Sequence, residues 1–112
     1  MPPPPFQILA DRYAPFLRDV AKLTRKDPSL PALLQQEFSR LETQGVYKHE
    51  SIGDQLYKRR VRSALRGRGK RGGYRLILYR QDPSLIPVAI YHKSDKQDLT
   101  LEERTAILRE LG

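Results

Sequence analysis

Three features of the sequence predict an α+β fold. Apolar residues recur at three- and four-residue spacing between Tyr13 and Leu41, two-residue alternation takes over from Leu56 to Lys93, and Thr100-Leu101-Glu102-Glu103 reads as a capping box that opens a last helix. The expected architecture is two N-terminal helices packed on a small antiparallel β-sheet, with a C-terminal helix closing the chain. A length of 112 residues suits one domain over residues 6–112 with a core of its own, preceded by a proline-rich tail over residues 1–5.

Pro2 to Pro5 are expected to form an extended polyproline II tail, and Phe6 to Leu9 read as a short strand. The first helix is predicted to begin near Asp11, with Tyr13, Phe16, Leu17, Val20 and Leu23 on one face. Pro15 fits only in its first turn, where its missing N–H costs no helical hydrogen bond. Asp27-Pro28-Ser29 breaks the chain, and a second helix carries Leu30, Leu34, Phe38 and Leu41 to its end before Gly45. Both stripes are read as core.

Strands are predicted over Leu56–Arg62, Tyr74–Arg80 and Pro87–Lys93, each rich in aromatic, aliphatic and basic residues. In the second, Tyr74, Leu76 and Leu78 face one way while Arg75, Ile77 and Tyr79 face the other. In the third, Val88 and Ile90 oppose Ala89, Tyr91 and Lys93. Gln81 to Leu85 is read as the connection of an antiparallel hairpin. One sheet face is expected to pack on the helices and the other to show Arg and Tyr to solvent. The last helix is expected to bury Leu101, Leu108 and Leu111.

Charge is distributed unevenly. Nine Lys and Arg and no Asp or Glu fall between Lys58 and Arg75, whereas the rest of the chain is close to neutral, so the formal excess of +8 is concentrated in one stretch. Clustered cations of this kind suit a polyanion, because each one placed beside a phosphate releases a condensed counterion. Nucleic acid is therefore the leading partner. Other chemistries find little support. Cys is absent, His49 and His92 are remote from one another, and no carboxylate cluster has ligand spacing, so no metal or other cofactor is expected. No Ser lies in an elbow motif, and residues 66–73 lack the Gly-Lys-Ser/Thr ending of a P-loop. The longest apolar run, Ile86 to Tyr91, is too short to span a bilayer, and the start has no signal-peptide core. A cytoplasmic protein without membrane contact is expected.

Three blocks carry a family resemblance: Leu56-Tyr57-Lys58-Arg59-Arg60-Val61-Arg62, then Gly72-Gly73-Tyr74-Arg75-Leu76-Ile77-Leu78-Tyr79, then Ile90-Tyr91-His92-Lys93-Ser94-Asp95-Lys96-Gln97-Asp98-Leu99. Their order and spacing resemble the RelE/HigB superfamily of type II toxin–antitoxin toxins, and the HigB-like branch most closely, over residues 56 to 108. The resemblance implies an endoribonuclease that cuts messenger RNA on the ribosome with cationic side chains and no metal, silenced by a cognate antitoxin. Carried over by position, Lys58, Arg60, Arg75 and Lys93 are the catalytic candidates. Arg75, in the Gly-Tyr-Arg block, would stabilise the scissile phosphate. Between Lys58 and Arg60 the lysine is the better base, since a guanidinium keeps its proton. Arg62, Arg66, Arg68, Lys70 and Arg71 would grip RNA. Ser94 stands where RelE-type toxins carry a catalytic arginine and Thr100 where they carry a catalytic tyrosine, residues that the HigB-like branch commonly lacks too, and Tyr79 or Tyr91 could supply a stacking surface instead.

Alternatives stand beside these roles. The tyrosines also suit plain sheet packing, Arg75 also suits a strand-end residue paired with Asp82 or Asp95, and Lys58 and Arg60 also suit protection of a sheet edge. At the level of function, a ParE-like inhibitor of DNA gyrase and a non-catalytic nucleic-acid-binding module remain open, since fold alone does not decide function.

Overall fold

The computed structural model describes residues 2–62 and 73–112. Pro2 to Pro5 belong to no helix or strand. The strand read at Phe6–Leu9 is confined to β1 (Gln7–Ile8), and the helices follow as α1 (Ala14–Lys26) and α2 (Leu30–Gln44). A single 3-10 turn, Lys48–Glu50, leads into β2 (Ser51–Gly53), β3 (Leu56–Arg62), β4 (Gly73–Gln81), β5 (Ser84–His92) and α3 (Leu101–Leu111). The five strands form one sheet in the order β1-β5-β4-β3-β2. Strands β2 to β5 run antiparallel to their neighbours, while β1 lies parallel to β5 through the pairs Gln7 with Ser84 and Ile8 with Leu85.

Helix ends follow from local chemistry. Tyr13 caps α1 in extended backbone and Pro15 sits in the first turn, so the helix starts three residues after the predicted Asp11. Gly45 ends α2 at φ +68°, donating its N–H to the Leu41 carbonyl at 2.8 Å, and a Cβ there would come within 2.6 Å of the Phe6 ring. The capping box at α3 forms as read: Thr100 Oγ1 accepts the Glu103 N–H at 3.1 Å, and Glu103 Oε1 accepts the Thr100 N–H at 2.8 Å.

Two core clusters lie on opposite faces of the sheet. Phe16, Leu30, Leu34 and Leu41 of α1 and α2 pack on Val61, Tyr74, Leu76, Leu78 and Ile90. On the other face Leu56, Ile77, Tyr79, Val88, Ala89 and Tyr91 are covered by Ile107 of α3, with Leu108 and Leu111 alongside. The expectation of an open second face is thus corrected over this half of the sheet: α3 is a lid on it. Leu101 does not join the seal, being 78% exposed, and Leu17 of the α1 stripe is also exposed. Ile107 takes the buried place because the box at Thr100 sets the helical phase, which turns Leu101 outward.

The β4–β5 hairpin closes more tightly than predicted, across Asp82-Pro83 alone, with a cis bond before Pro83. Its register breaks between Ile77 and Leu78, which pair with Ala89 and Pro87 and leave Val88 unopposed. This β-bulge accommodates Pro87, which cannot donate to the ladder, inside a strand. It also shifts phase, so that Val88 and Ala89 both enter the α3-side cluster instead of facing apart.

A buried ion network joins the layers. Arg59 is only 5% exposed and donates to both Glu50 carboxylate oxygens at 3.0 and 3.1 Å, to Glu37 Oε2 at 3.3 Å and to the Gly45 carbonyl at 3.1 Å. One member of the basic stretch is therefore a structural tie between α2, the 3-10 turn and β3.

Candidate cationic site on the sheet

Strand alternation divides the basic residues of β3. Arg59 and Val61 point toward α1 and α2, so Lys58, Arg60 and Arg62 share the other face with Leu56. On that face Lys58 is paired with Ile77, Arg60 with Arg75 and Arg62 with Gly73. Arg75 is in turn opposite Tyr91 on β5. The row Arg60, Arg75, Tyr91 therefore crosses three strands, with Lys58 one position along toward α3. The structure brings Lys58, Arg60 and Arg75 to one face. Lys93 lies one residue beyond β5 and is exposed, and its N–H reaches the Gly73 carbonyl at 3.0 Å, which sets it at the same end of the sheet as Arg62. Arg66, Arg68, Lys70 and Arg71 lie outside the described residues.

Directly opposed residues on antiparallel strands have Cβ atoms about 4.5–5.5 Å apart, so Arg60 and Arg75 set two like charges side by side. Among the described residues no carboxylate lies within ion-pair distance of Arg60, Arg62, Arg75 or Lys93. Asp82, one of the partners considered for Arg75, is taken by Arg80 at 2.7 Å. A sheet gains nothing from such a pair; a bound anion between the guanidinium groups would relieve it. Lys58 differs from its neighbours, because its Nζ meets Asp98 Oδ1 at 2.5 Å.

The tyrosines are not a stacking platform here. Tyr79 and Tyr91 are 8% and 6% exposed and belong to the α3-side cluster. The Tyr91 hydroxyl donates to the Gln97 carbonyl at 3.1 Å, and Lys96 Nζ stands 4.9 Å from the ring centroid. Burial, reinforced by the negative charge of Asp98, pushes the Tyr91 phenol up to about 12 even though Arg75 pulls the other way. It stays protonated at neutral pH. The solvent-facing role expected for both rings is therefore corrected, for the same reason as the open face: α3 and the loop before it cover them. Thr100 is committed to its cap, and Ser94 Oγ to His92 Nδ1 at 2.7 Å. His92 itself stands edge-on to Tyr74 on the helix-facing side of β4.

Sequence reasoning missed Asp98 as a member of the site, although it lies in the Ile90–Leu99 block that carries the resemblance. No signal in the sequence singles it out from Asp95 of the same block. Among the described residues no group of three His, Cys, Asp or Glu side chains could hold a metal ion, and no helix is long and apolar enough to cross a membrane.

Comparison with known families matches residues 18–111 to the family described as RelE toxin of RelE / RelB toxin-antitoxin system. No curated protein matches the chain.

Proposed function

The chain belongs to the RelE toxin family, the toxin component of a toxin–antitoxin pair, and from that premise we propose that it is a ribosome-dependent endoribonuclease that inhibits translation by cutting messenger RNA. The observation that carries the proposal is the placement of Lys58, Arg60 and Arg75 on one face, two of them directly opposed and without carboxylate partners among the described residues.

The reaction is attack of a ribose 2′-hydroxyl on the adjacent phosphate, expelling the 5′-oxygen of the next nucleotide. Negative charge grows on the nonbridging oxygens in the transition state. Donors held in place before the reaction stabilise that charge without reorganising, which is the largest resource this site has. Arg75, central in the row and backed by Tyr91, is the arginine best placed to meet the phosphate; Arg60, across the ladder, supplies a second guanidinium fork. Lys58, unlike the two arginines beside it, carries a group that can exchange a proton. Arg62 and Lys93, at the far end of the same sheet, extend the cationic track along the RNA, and Arg66, Arg68, Lys70 and Arg71 are assigned to RNA binding on their charge alone. A message threaded through the ribosome supplies orientation that the site does not build for itself.

The family implies an antitoxin partner. We propose that an acidic segment of it covers the cationic face in the cytoplasm, since opposed charge both seals the site and speeds encounter. The deciding experiment is primer extension on messages incubated with purified toxin, with and without translating ribosomes. Codon-phased cuts in translated message alone support the reading. Uncut message together with blocked DNA supercoiling would transfer it to a gyrase inhibitor of ParE type, and neither effect would leave a nucleic-acid-binding module.

A further inference from the structure

Among the cations of the sheet face, Lys58 is the one whose charge is met by a carboxylate among the described residues. Asp98 comes from the loop that crosses from β5 to α3, and that loop is fixed on both sides of it. Gln97 is held by the Tyr91 hydroxyl at 3.1 Å, Lys96 grips Glu103 at 2.6 and 2.7 Å, and Leu99 packs into the α3-side cluster. The carboxylate is thus held against the ammonium by the fold around it. It nevertheless faces water: the Asp98 side chain is 64% exposed and that of Lys58 29%. Its charge reaches Tyr91, as does that of Arg75, so it lies within the field of the row.

We propose that Asp98 is a positioning residue that occupies the seat of an RNA phosphate, holding the Lys58 ammonium in the site until a phosphate of the message displaces it. The proposal rests on the RNA-cleaving reading and adds to it how the empty site is kept. A carboxylate oxygen accepts from an ammonium in the same manner as a phosphate oxygen, so the lysine is presented in a geometry that the substrate can inherit. An exposed pair of this kind contributes little to stability, and exchanging it for phosphate is easy. The consequence is selectivity. A loosely held polyanion must give up part of its gain to dislodge Asp98, whereas a strand already oriented by the ribosome does not depend on that gain for its placement.

The test is binding of a fluorescein-labelled single-stranded RNA oligonucleotide to the full-length toxin across a series of KCl concentrations, read by anisotropy. Asp98→Asn keeps the size and a hydrogen-bond acceptor but removes the charge. Releasing Lys58 to a phosphate should steepen the slope of log K against log salt by about 0.7 and raise affinity about fivefold at 0.1 M salt. The gain should vanish in the Lys58→Ala background, where there is no ammonium to release. An unchanged slope and affinity in Asp98→Asn would overturn the proposal, as would a gain that persists without Lys58, because it would then reflect general charge alone. Cleavage of translated message is scored separately, so failure of the nuclease reading is visible even when the binding result holds.

Discussion

Arg75→Ala should separate activity from stability in opposite directions. The Arg75 side chain has no carboxylate partner among the described residues and stands directly across from Arg60, so its removal breaks no ion pair among them and lifts a like-charge opposition of roughly 0.2–1 kcal/mol. Stability in denaturant should therefore stay level or rise by that amount. The difference should fade at high salt, because the Debye length falls from about 10 Å at 0.1 M to about 3 Å at 1 M. Catalysis should move the other way. Loss of one prearranged donor to a developing oxyanion costs about 2.7–4 kcal/mol, a rate reduction of roughly 10²–10³-fold. The assays are urea unfolding at low and high salt and primer-extension rates on translated message. Cleavage within tenfold of the unsubstituted toxin would refute Arg75 as the phosphate ligand. Destabilisation by more than about 1 kcal/mol would show instead that the arginine is scaffold.

Three further outcomes follow from contacts away from the row. The Tyr74 hydroxyl donates to Asp27 Oδ2 at 2.6 Å, and Ser29 also donates to this buried carboxylate; burial alone would raise the Asp27 carboxyl, but these bonds outweigh it and hold it below its ordinary value. Tyr74→Phe should cost about 1.5–3 kcal/mol at neutral pH, and since a lowered carboxyl contributes stability above the unfolded value near ~4 and loses it as pH falls through the folded one, the gap between the two proteins should narrow in acid; a gap constant from pH 7 to strong acid in thermal melts would contradict this. Arg59→Met leaves Glu37 and Glu50 without their shared guanidinium, which should cost about 3–5 kcal/mol in urea unfolding, and a loss below about 1 kcal/mol would mean the network is dispensable. Thr100→Ala removes the cap of α3 and should cost about 0.5–2 kcal/mol; hydrogen exchange should quicken over Leu101–Leu111 while β4 keeps its protection, and equal loosening of both would show that lid and sheet open together.

Much of this was legible because periodicity is a direct imprint of burial. The β3 bounds Leu56–Arg62 follow from alternation alone, and the α2 stripe and Thr100 cap follow from spacing and capping chemistry. The same alternation put Lys58, Arg60 and Arg75 on one face. It failed where a residue type hid the conformation. The β2–β3 turn runs through Asp54 and Gln55 at φ 55° and 63°, the left-handed pair of a tight hairpin, but glutamine is a poor signal for that geometry, so β2 passed unseen. Pro87 delayed the predicted start of β5, since a bulge that tolerates proline leaves no mark in composition. Tyr79 and Tyr91 were placed on the right face and given the wrong neighbour, because no pattern within β4 or β5 says whether a later helix will lie across them. Asp98 was equally opaque: its partner is 40 residues away, and a loop acid does not disclose what it meets.

The parallel clasp of β1 on β5 has a bearing on when the protein becomes dangerous to its maker. Gln7 and Ile8 leave the ribosome early, yet their ladder partners Ser84 and Leu85 are among the last strand residues to be made, and contacts so distant in sequence form late and slowly. Until Ser84 and Leu85 have emerged, β1 has no strand to clasp and the sheet stays open at that edge, so the cationic face is completed only near the end of synthesis.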